Sequence, residues 1–203
     1  GTVCISPPAA SEFSNYSTAD LRHLLTQPGV VAIGETGLDF HRNLAPKEMQ
    51  VKCFEAHLSL ASEIELPLFM HEREASKLQI DILKNRRKDF SKGVIHCFTG
   101  DRQTLYQYLD MDLHIGITGW ICDPRRGMPL QDLVADIPLD RLMIETDSPY
   151  LLPRNLAFPP KDGRNEPSFL PWVVSGIAAC RGESKEEIAE QTGKTAIKFF
   201  GLE

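Results

Sequence analysis

No apolar stretch in this 203-residue sequence approaches the roughly 20 residues that a membrane span requires; the longest are short runs such as Gly29-Val30-Val31-Ala32-Ile33. No basic n-region followed by an apolar h-region opens the chain, and Gly1 in place of an initiator methionine is read as a processed end. Cysteines are few and scattered. Cys4, Cys53, Cys97, Cys122 and Cys180 form an odd set without a C-x-x-C, which argues against a disulfide framework or a cysteine zinc site and suits a reducing cytoplasm. Positive charge is not in excess either: 22 Lys and Arg stand against 28 Asp and Glu, a formal net charge of −6. Whole-chain electrostatics therefore gives no pull towards nucleic acid, and any surface for it must be local. With 42% hydrophobic and 25% charged residues the chain is neither disordered nor fibrous, and its length suits one core, so a single domain over residues 1–203 is expected.

Short apolar runs rich in β-branched residues recur at 3–6, 30–34, 66–71, 93–98, 113–118 and 141–146. Helical patterns lie between them. Ser17-Thr18 is expected to cap a helix carrying Leu21, Leu24 and Leu25, and Pro46 suits a first helical position ahead of Phe54, Leu58 and Ala61. Asp101 precedes Leu105 and Leu109, Ser184 with Glu187 reads as a capping box, and Gly201 is a stop signal after Phe199-Phe200. Strands alternating with helices imply a parallel sheet, either doubly wound or a (β/α)8 barrel. No G-x-G-x-x-G follows the first run, which removes the best cue for the dinucleotide-binding version. Unusual polar residues instead crowd the carboxyl ends of successive runs: Glu35, His71 with Arg73, His96, Thr118 with Trp120, and Asp147. A barrel places its active site at that face. Six runs are present where a closed barrel has eight, so two strands are expected to be missing.

Each of these residues has a bland reading by itself. A lone acid such as Glu35 is commonly a solvated strand end, a lone strand histidine such as His96 a hydrogen-bonded core residue, and Glu145 with Asp147, expected to share a face, a structural pair. Together, two imidazoles and two carboxylates at four strand ends form a ligand set for Zn, Mn or Mg with mixed N/O coordination. Burying them unpaired is costly, and a shared ion is a common explanation.

Six ordered motifs carry a family resemblance from about residue 28 onwards: Ile33-Gly34-Glu35-Thr36-Gly37-Leu38-Asp39-Phe40, Phe69-Met70-His71-Glu72-Arg73, His96-Cys97-Phe98-Thr99-Gly100, Gly116-Ile117-Thr118-Gly119-Trp120, Glu145-Thr146-Asp147-Ser148-Pro149 and Arg164-Asn165-Glu166-Pro167. Together they resemble the TatD family of metal-dependent deoxyribonucleases. The resemblance implies a barrel of the amidohydrolase type that hydrolyses DNA phosphodiesters, typically as a 3′-exonuclease, with two divalent ions (Mg²⁺, Mn²⁺ or Zn²⁺). It implies that Glu35 bridges the two metals, that His71 and His96 complete the second site, and that Asp147 holds the first metal and orients or deprotonates the attacking water. Glu35 and Asp147 are thus the catalytic candidates. Arg73 is expected to pair with a phosphate oxygen or, equally, to form a surface ion pair.

Two departures qualify the resemblance. The family's first strand carries His-x-His and its third ends Gly-x-His-Pro-His, whereas this sequence has no His-x-His and offers Val3-Cys4-Ile5-Ser6-Pro7-Pro8 at the latter place. The expectation is an N-terminally incomplete domain with one complete metal site, prone to self-association or completed by an N-terminal segment. The loops at 120–128 and 153–166 hold Arg125, Arg126, Arg154, Lys161 and Arg164 against Asp123, Asp162 and Glu166, a local basic enrichment. Trp120 and Arg154 are the candidate contacts there to DNA, single-stranded or at frayed ends, with packing and solvation as their bland readings. Asn165 equally suits bracing its loop. Two further functions remain open: a metal-dependent hydrolase of another ester or amide, and a non-catalytic paralogue acting as a binding protein.

Overall fold

All six apolar runs form strands: β1 (Thr2–Val3), β2 (Ala32–Asp39), β3 (Leu68–Arg73), β4 (Gly93–Ile95), β5 (His114–Ile117) and β6 (Leu142–Ile144). The computed structural model describes residues 1–202. Helices α1 (Asn15–Leu25), α2 (Lys47–Ile64), α3 (Ser76–Asn85), α4 (Arg102–Asp110) and α5 (Met128–Gln131) fall between consecutive strands, and α6 (Leu170–Ala178) and α7 (Lys185–Phe200) follow the last. The pairings β1–β2, β2–β3, β3–β4 and β5–β6 are parallel. Strand order in the sheet equals chain order, β1 to β6. That settles the choice between architectures, because a doubly wound sheet reverses its order at a switch point and a β/α barrel does not.

The chain divides into two compact units, the first chiefly Gly1–His96 and the second chiefly Cys97–Leu109 with His114–Lys198. In the first, Ile33, Leu38, Leu68, Met70, Val94 and Ile95 are buried on the strands, and Phe54, Leu58 and Ala61 of α2 are buried with them. Parallel strands buried on both faces read as unbroken apolar runs, which is why these segments stand out in the sequence. In the second unit Ile115, Ile117, Leu142 and Met143 are buried on β5 and β6, and Leu105, Tyr108, Val173 and Ile177 on α4 and α6.

Strand β2 meets β3 in two registers. Ile33 pairs with Leu68 and Thr36 with Met70, so β2 spends three steps where β3 spends two, and the irregularity falls at Gly34-Glu35. A bulge of this kind re-aims side chains and breaks the simple alternation of faces. Two glycines permit the close approach. A Cβ on Gly34 would stand 2.3 Å from the Phe69 carbonyl oxygen, and Gly37, at φ +123°, would place one 2.0 Å from that of His71.

The ends of several elements differ from expectation. Strand β1 stops at Val3, and Pro7 opens a 3-10 turn, Pro7–Glu12, because proline lacks the N–H that would continue a ladder. Helix α1 is capped by Ser14 rather than by Ser17 or Thr18: Ser14 Oγ accepts from the Ser17 amide (3.4 Å) while Ser17 Oγ accepts from the Ser14 amide (3.1 Å). Pro46 is the N-cap of α2 and not its first helical residue. Asp101 caps α4 by accepting from the Thr104 amide, and Ser184 caps α7 through the Glu187 amide. Strands β4 and β6 end at Ile95 and Ile144, although the amides of His96 and Glu145 still donate to the carbonyls of Met70 (2.7 Å) and Ile117 (3.0 Å), and Asp147 lies further past the strand end.

Candidate functional site

The long β2 strand carries both Glu35 and Asp39, and buried side-chain amides hold its carboxyl end in place. Gln79 Oε1 accepts from the Leu38 amide (3.0 Å). Gln50 Oε1 accepts from the Asp39 amide (2.8 Å), while Gln50 Nε2 donates to the carbonyls of Asp39 (3.0 Å) and Ala45 (2.9 Å). Helices α2 and α3 thus satisfy β2 backbone groups and position Asp39 in a buried place, its side chain 2% exposed.

His71 on β3 lies between two carboxylates. Its Nδ1 is 2.7 Å from Glu35 Oε1 and its Nε2 3.1 Å from Asp39 Oδ2. Carboxylates only accept, so both contacts together need a hydrogen on each ring nitrogen or on one of the acids. His96, just past β4 and 7% exposed, brings Nε2 to 3.9 Å from the same Glu35 Oε1 and tilts its ring against Phe69, centroids 4.9 Å apart. Asp39 Oδ1 also accepts from the Arg42 amide (2.8 Å), and the Arg42 Nε is 3.5 Å from Oδ2. A small cleft of about 130 Å³ is lined by Ser6, Pro7, Pro8, Glu35, Asp39, Arg42 and His71.

The electrostatics follow from these contacts. Burial raises the Glu35 carboxyl, but the His71 hydrogen bond and the charges of His71, His96 and Arg42 outweigh it, holding the group below its ordinary value. Cys4 stands where the family's histidine motif would fall. Its thiol donates to the Glu35 carbonyl oxygen (3.0 Å), and burial, with Glu35 and Cys53 nearby, pushes its pKa up to about 12.

Among the described residues no group of three or more His, Cys, Asp or Glu stands in a ready-made coordination geometry. The donors nevertheless converge, because an imidazole nitrogen from β3 and one from just past β4 lie 2.7 and 3.9 Å from the same carboxylate oxygen. An ion about 2.0–2.2 Å from each donor needs tetrahedral donors roughly 3.3 Å apart. The His71–Glu35 distance of 2.7 Å is shorter than this and the His96–Glu35 distance of 3.9 Å is longer. The donor chemistry, two imidazoles and a carboxylate, suits a divalent ion, and these two distances would have to even out for one to bind. Asp39, on the far nitrogen of His71, supplies the partner that commonly orients a ligating imidazole.

The remaining candidates lie elsewhere. Arg73 does not line this cleft; Arg42 does, and neither it nor Asp39 is singled out by the sequence pattern. Asp147 belongs to the second unit, where its carbonyl accepts from the Tyr150 amide (2.7 Å). Glu145 Oε1 accepts from the Cys97 amide (2.6 Å) and fills the space beside Gly116, where a Cβ would stand 2.3 Å from it. Trp120 and Arg154 do come together, lining a pocket of about 630 Å³ in the second unit with Asp123 and Arg126. Asn165 braces its loop by donating to the carbonyls of Tyr150 (2.8 Å) and Leu151 (3.3 Å).

Parallel strands in barrel order, with acid and imidazole groups gathered where strands β2 to β4 end, place the chain among the β/α-barrel enzymes. The family model for TatD-related DNases matches residues 1–201, and the chain belongs to that family. A protein named 3′-5′ ssDNA/RNA exonuclease TatD from Rahnella sp. (strain Y9602) is 49% identical over 99% of this chain and 76% of its own length. The protein of the same name from Erwinia amylovora is 50% identical over 99% of this chain and 78% of its own. Among solved structures, YJJV, a TatD homolog from Escherichia coli K12, superposes with a TM-score of 0.87 at 28% identity, covering 97% of this chain and 74% of that one. A TatD-family hydrolase from Entamoeba histolytica gives 0.85 at 26% identity, covering 96% and 72%. The six ordered motifs therefore identified the family correctly. No described helix is long and apolar enough to cross a membrane.

Proposed function

We propose that this protein is a divalent-metal-dependent nuclease that removes nucleotides from the 3′ ends of single-stranded DNA or RNA. The observation that carries the reading is the convergence of His71 Nδ1 and His96 Nε2 on Glu35 Oε1. Its support in kinship is the family match and the exonuclease name borne by relatives near half identity.

Glu35, His71 and His96 would hold the ion. When bound, a divalent ion polarises the phosphoryl oxygens and lowers the pKa of water. Asp39 keeps His71 turned with Nδ1 towards Glu35, and its own burial keeps bulk water from that contact. Arg42 at the cleft offers its guanidinium to a phosphate oxygen, and Arg73 is the second basic candidate. Asp147, from the Glu-Thr-Asp-Ser-Pro motif, would receive the proton of the attacking water and return it to the departing O3′. Water adds to phosphorus, the P–O3′ bond breaks, the shortened strand keeps a 3′ hydroxyl and the released nucleotide keeps the 5′ phosphate.

The test is hydrolysis of a 5′-labelled single-stranded oligonucleotide by metal-stripped protein resupplied with Mg²⁺, Mn²⁺ or Zn²⁺. Stepwise shortening from the 3′ end, abolished by chelator, is expected. Cleavage indifferent to chelation, or shortening from the 5′ end alone, overturns the reading.

A further inference from the structure

Asp123 is an acid buried among arginines. Its side chain is 3% exposed, yet one oxygen accepts from the amides of Arg125 (2.9 Å) and Arg126 (3.0 Å), and the other meets three guanidinium nitrogens. Those are Nε (3.1 Å) and Nη2 (3.0 Å) of Arg126 and Nε of Arg154 (3.1 Å). Both arginine side chains remain 53% exposed. One carboxylate facing two guanidiniums leaves a net positive charge, and it fixes both forks on side chains that stay half exposed.

Beside this pair lies an oriented indole. The Arg126 guanidinium sits over the Trp120 ring at 4.4 Å, and Trp120 Nε1 donates to the Arg126 carbonyl (3.2 Å). Gly119 lets the two loops meet, since a Cβ there would stand 2.2 Å from the Leu151 carbonyl oxygen. The resulting pocket of about 630 Å³ is too large for a bare anion and falls within the range that holds small organic ligands.

We propose that this pocket is a nucleotide subsite of the second unit, in which a base stacks on the Trp120–Arg126 pair and Arg154 and Arg126, positioned by Asp123, bind the attached phosphate. A flat π-surface and a paired cationic fork side by side match the two halves of a nucleoside monophosphate, whether it ends a strand or is free. The inference rests on the nuclease reading for its choice of ligand, and it makes Asp123 a positioning residue that touches no substrate itself.

Trp120 reports occupancy directly once Trp172, the other tryptophan, is replaced. Fluorescence of the Trp172→Phe protein is titrated, in chelator, with deoxyadenosine 5′-monophosphate, deoxyadenosine, inorganic phosphate and a single-stranded oligonucleotide. Saturable quenching by the monophosphate is expected, with deoxyadenosine at least tenfold weaker and phosphate alone giving no quenching. Arg154→Ala, on an exposed side chain, weakens the monophosphate at least tenfold. Asp123→Asn does the same although both arginines remain, and Asp123→Glu restores part of the affinity. Oligonucleotide quenching at lower concentration than the monophosphate assigns the pocket to a strand end; the reverse order assigns it to the free nucleotide. Absence of saturable quenching, deoxyadenosine binding as tightly as its monophosphate, or unchanged affinity in Asp123→Asn overturns the proposal. Metal-dependent cleavage measured alongside separates the two readings: cleavage without quenching removes the subsite alone, and quenching without cleavage removes the nuclease reading alone.

Discussion

His57 offers a test of the fold that needs no substrate. It is fully buried on α2, where Nε2 accepts from the Ile5 amide (3.1 Å) and Nδ1 lies 3.1 Å from Thr36 Oγ1. A nitrogen that accepts an N–H cannot also carry a proton, so the ring is neutral and its hydrogen sits on Nδ1. Burial lowers its pKa from 6.5 to about 4, against a smaller opposing effect of a hydrogen bond to the Cys53 backbone. As pH falls, the unfolded chain takes up this proton near 6.5 and the folded chain only near 4. Between those values the unfolded state binds more protons, and stability falls with pH. The two values are about 2.5 pH units apart. At 1.36 kcal/mol for each, roughly 3 kcal/mol of stability is lost between pH 7 and pH 4 through this one side chain.

His57→Gln keeps an acceptor for the Ile5 amide and removes the titration. The quantity to measure is the unfolding free energy of wild type minus that of the variant, from urea titrations at half-unit steps between pH 7 and pH 4. Carboxylates such as Glu35 titrate in both proteins and cancel in the difference. The difference should shrink by roughly 3 kcal/mol, mostly below pH 6. A difference that stays constant, or grows as pH falls, refutes the burial argument.

Glu35→Ala should abolish metal-dependent cleavage and leave the circular dichroism spectrum unchanged; activity within about threefold of wild type, roughly 0.7 kcal/mol of barrier, removes Glu35 from the mechanism. Titration calorimetry on stripped protein should give near-unit stoichiometry for Zn²⁺ or Mn²⁺, with a sharp loss in His71→Ala or His96→Ala and a smaller one in Asp147→Ala; two tight sites of equal affinity show that other residues replace the absent histidine pairs. Gly37→Ala should cost about 2–4 kcal/mol, because the methyl group meets the His71 carbonyl oxygen at 2.0 Å in a left-handed backbone, and an unchanged melting temperature contradicts the packing described for β2 and β3.

The strands were legible because burial on both faces forces unbroken apolar runs, and the site in part because Glu35, His71 and His96 interrupt such runs at their carboxyl ends. Asp39 and Arg42 were not legible as site residues. Asp39 lies four residues after Glu35 on β2 and both reach His71, so the spacing allowed the contact without singling it out, while Arg42 lies beyond the end of β2, where strand spacing says nothing. A weaker signal was present. An acid inside Gly37-Leu38-Asp39-Phe40, continuing an apolar strand, has no solvent to face, and the buried Gln50 on α2 points to a backbone that needs satisfying. Glu145 was readable only as half of a structural acid pair, and its contact with the Cys97 amide (2.6 Å) is one that spacing along a single strand does not name.

Asp123 shows where charge counting itself fails. Summed along the loop, it subtracts one from the basic excess and argues against an anion site. In the fold its carboxylate is buried, accepts two backbone amides, and is held well below the usual carboxylate range, first by those amides and then by the Arg126 guanidinium. An acid in that position costs the site little attraction, because the guanidiniums it contacts keep donors pointing outwards. What it contributes is geometry: without it, Arg126 and Arg154 are two long side chains whose rotamer freedom must be lost on binding, at about 0.5–1.5 kcal/mol for each. Asp123 restricts that freedom in advance. The sequence sets three acids against five bases in these loops, and only the distances reveal that one of the acids aligns two of the bases.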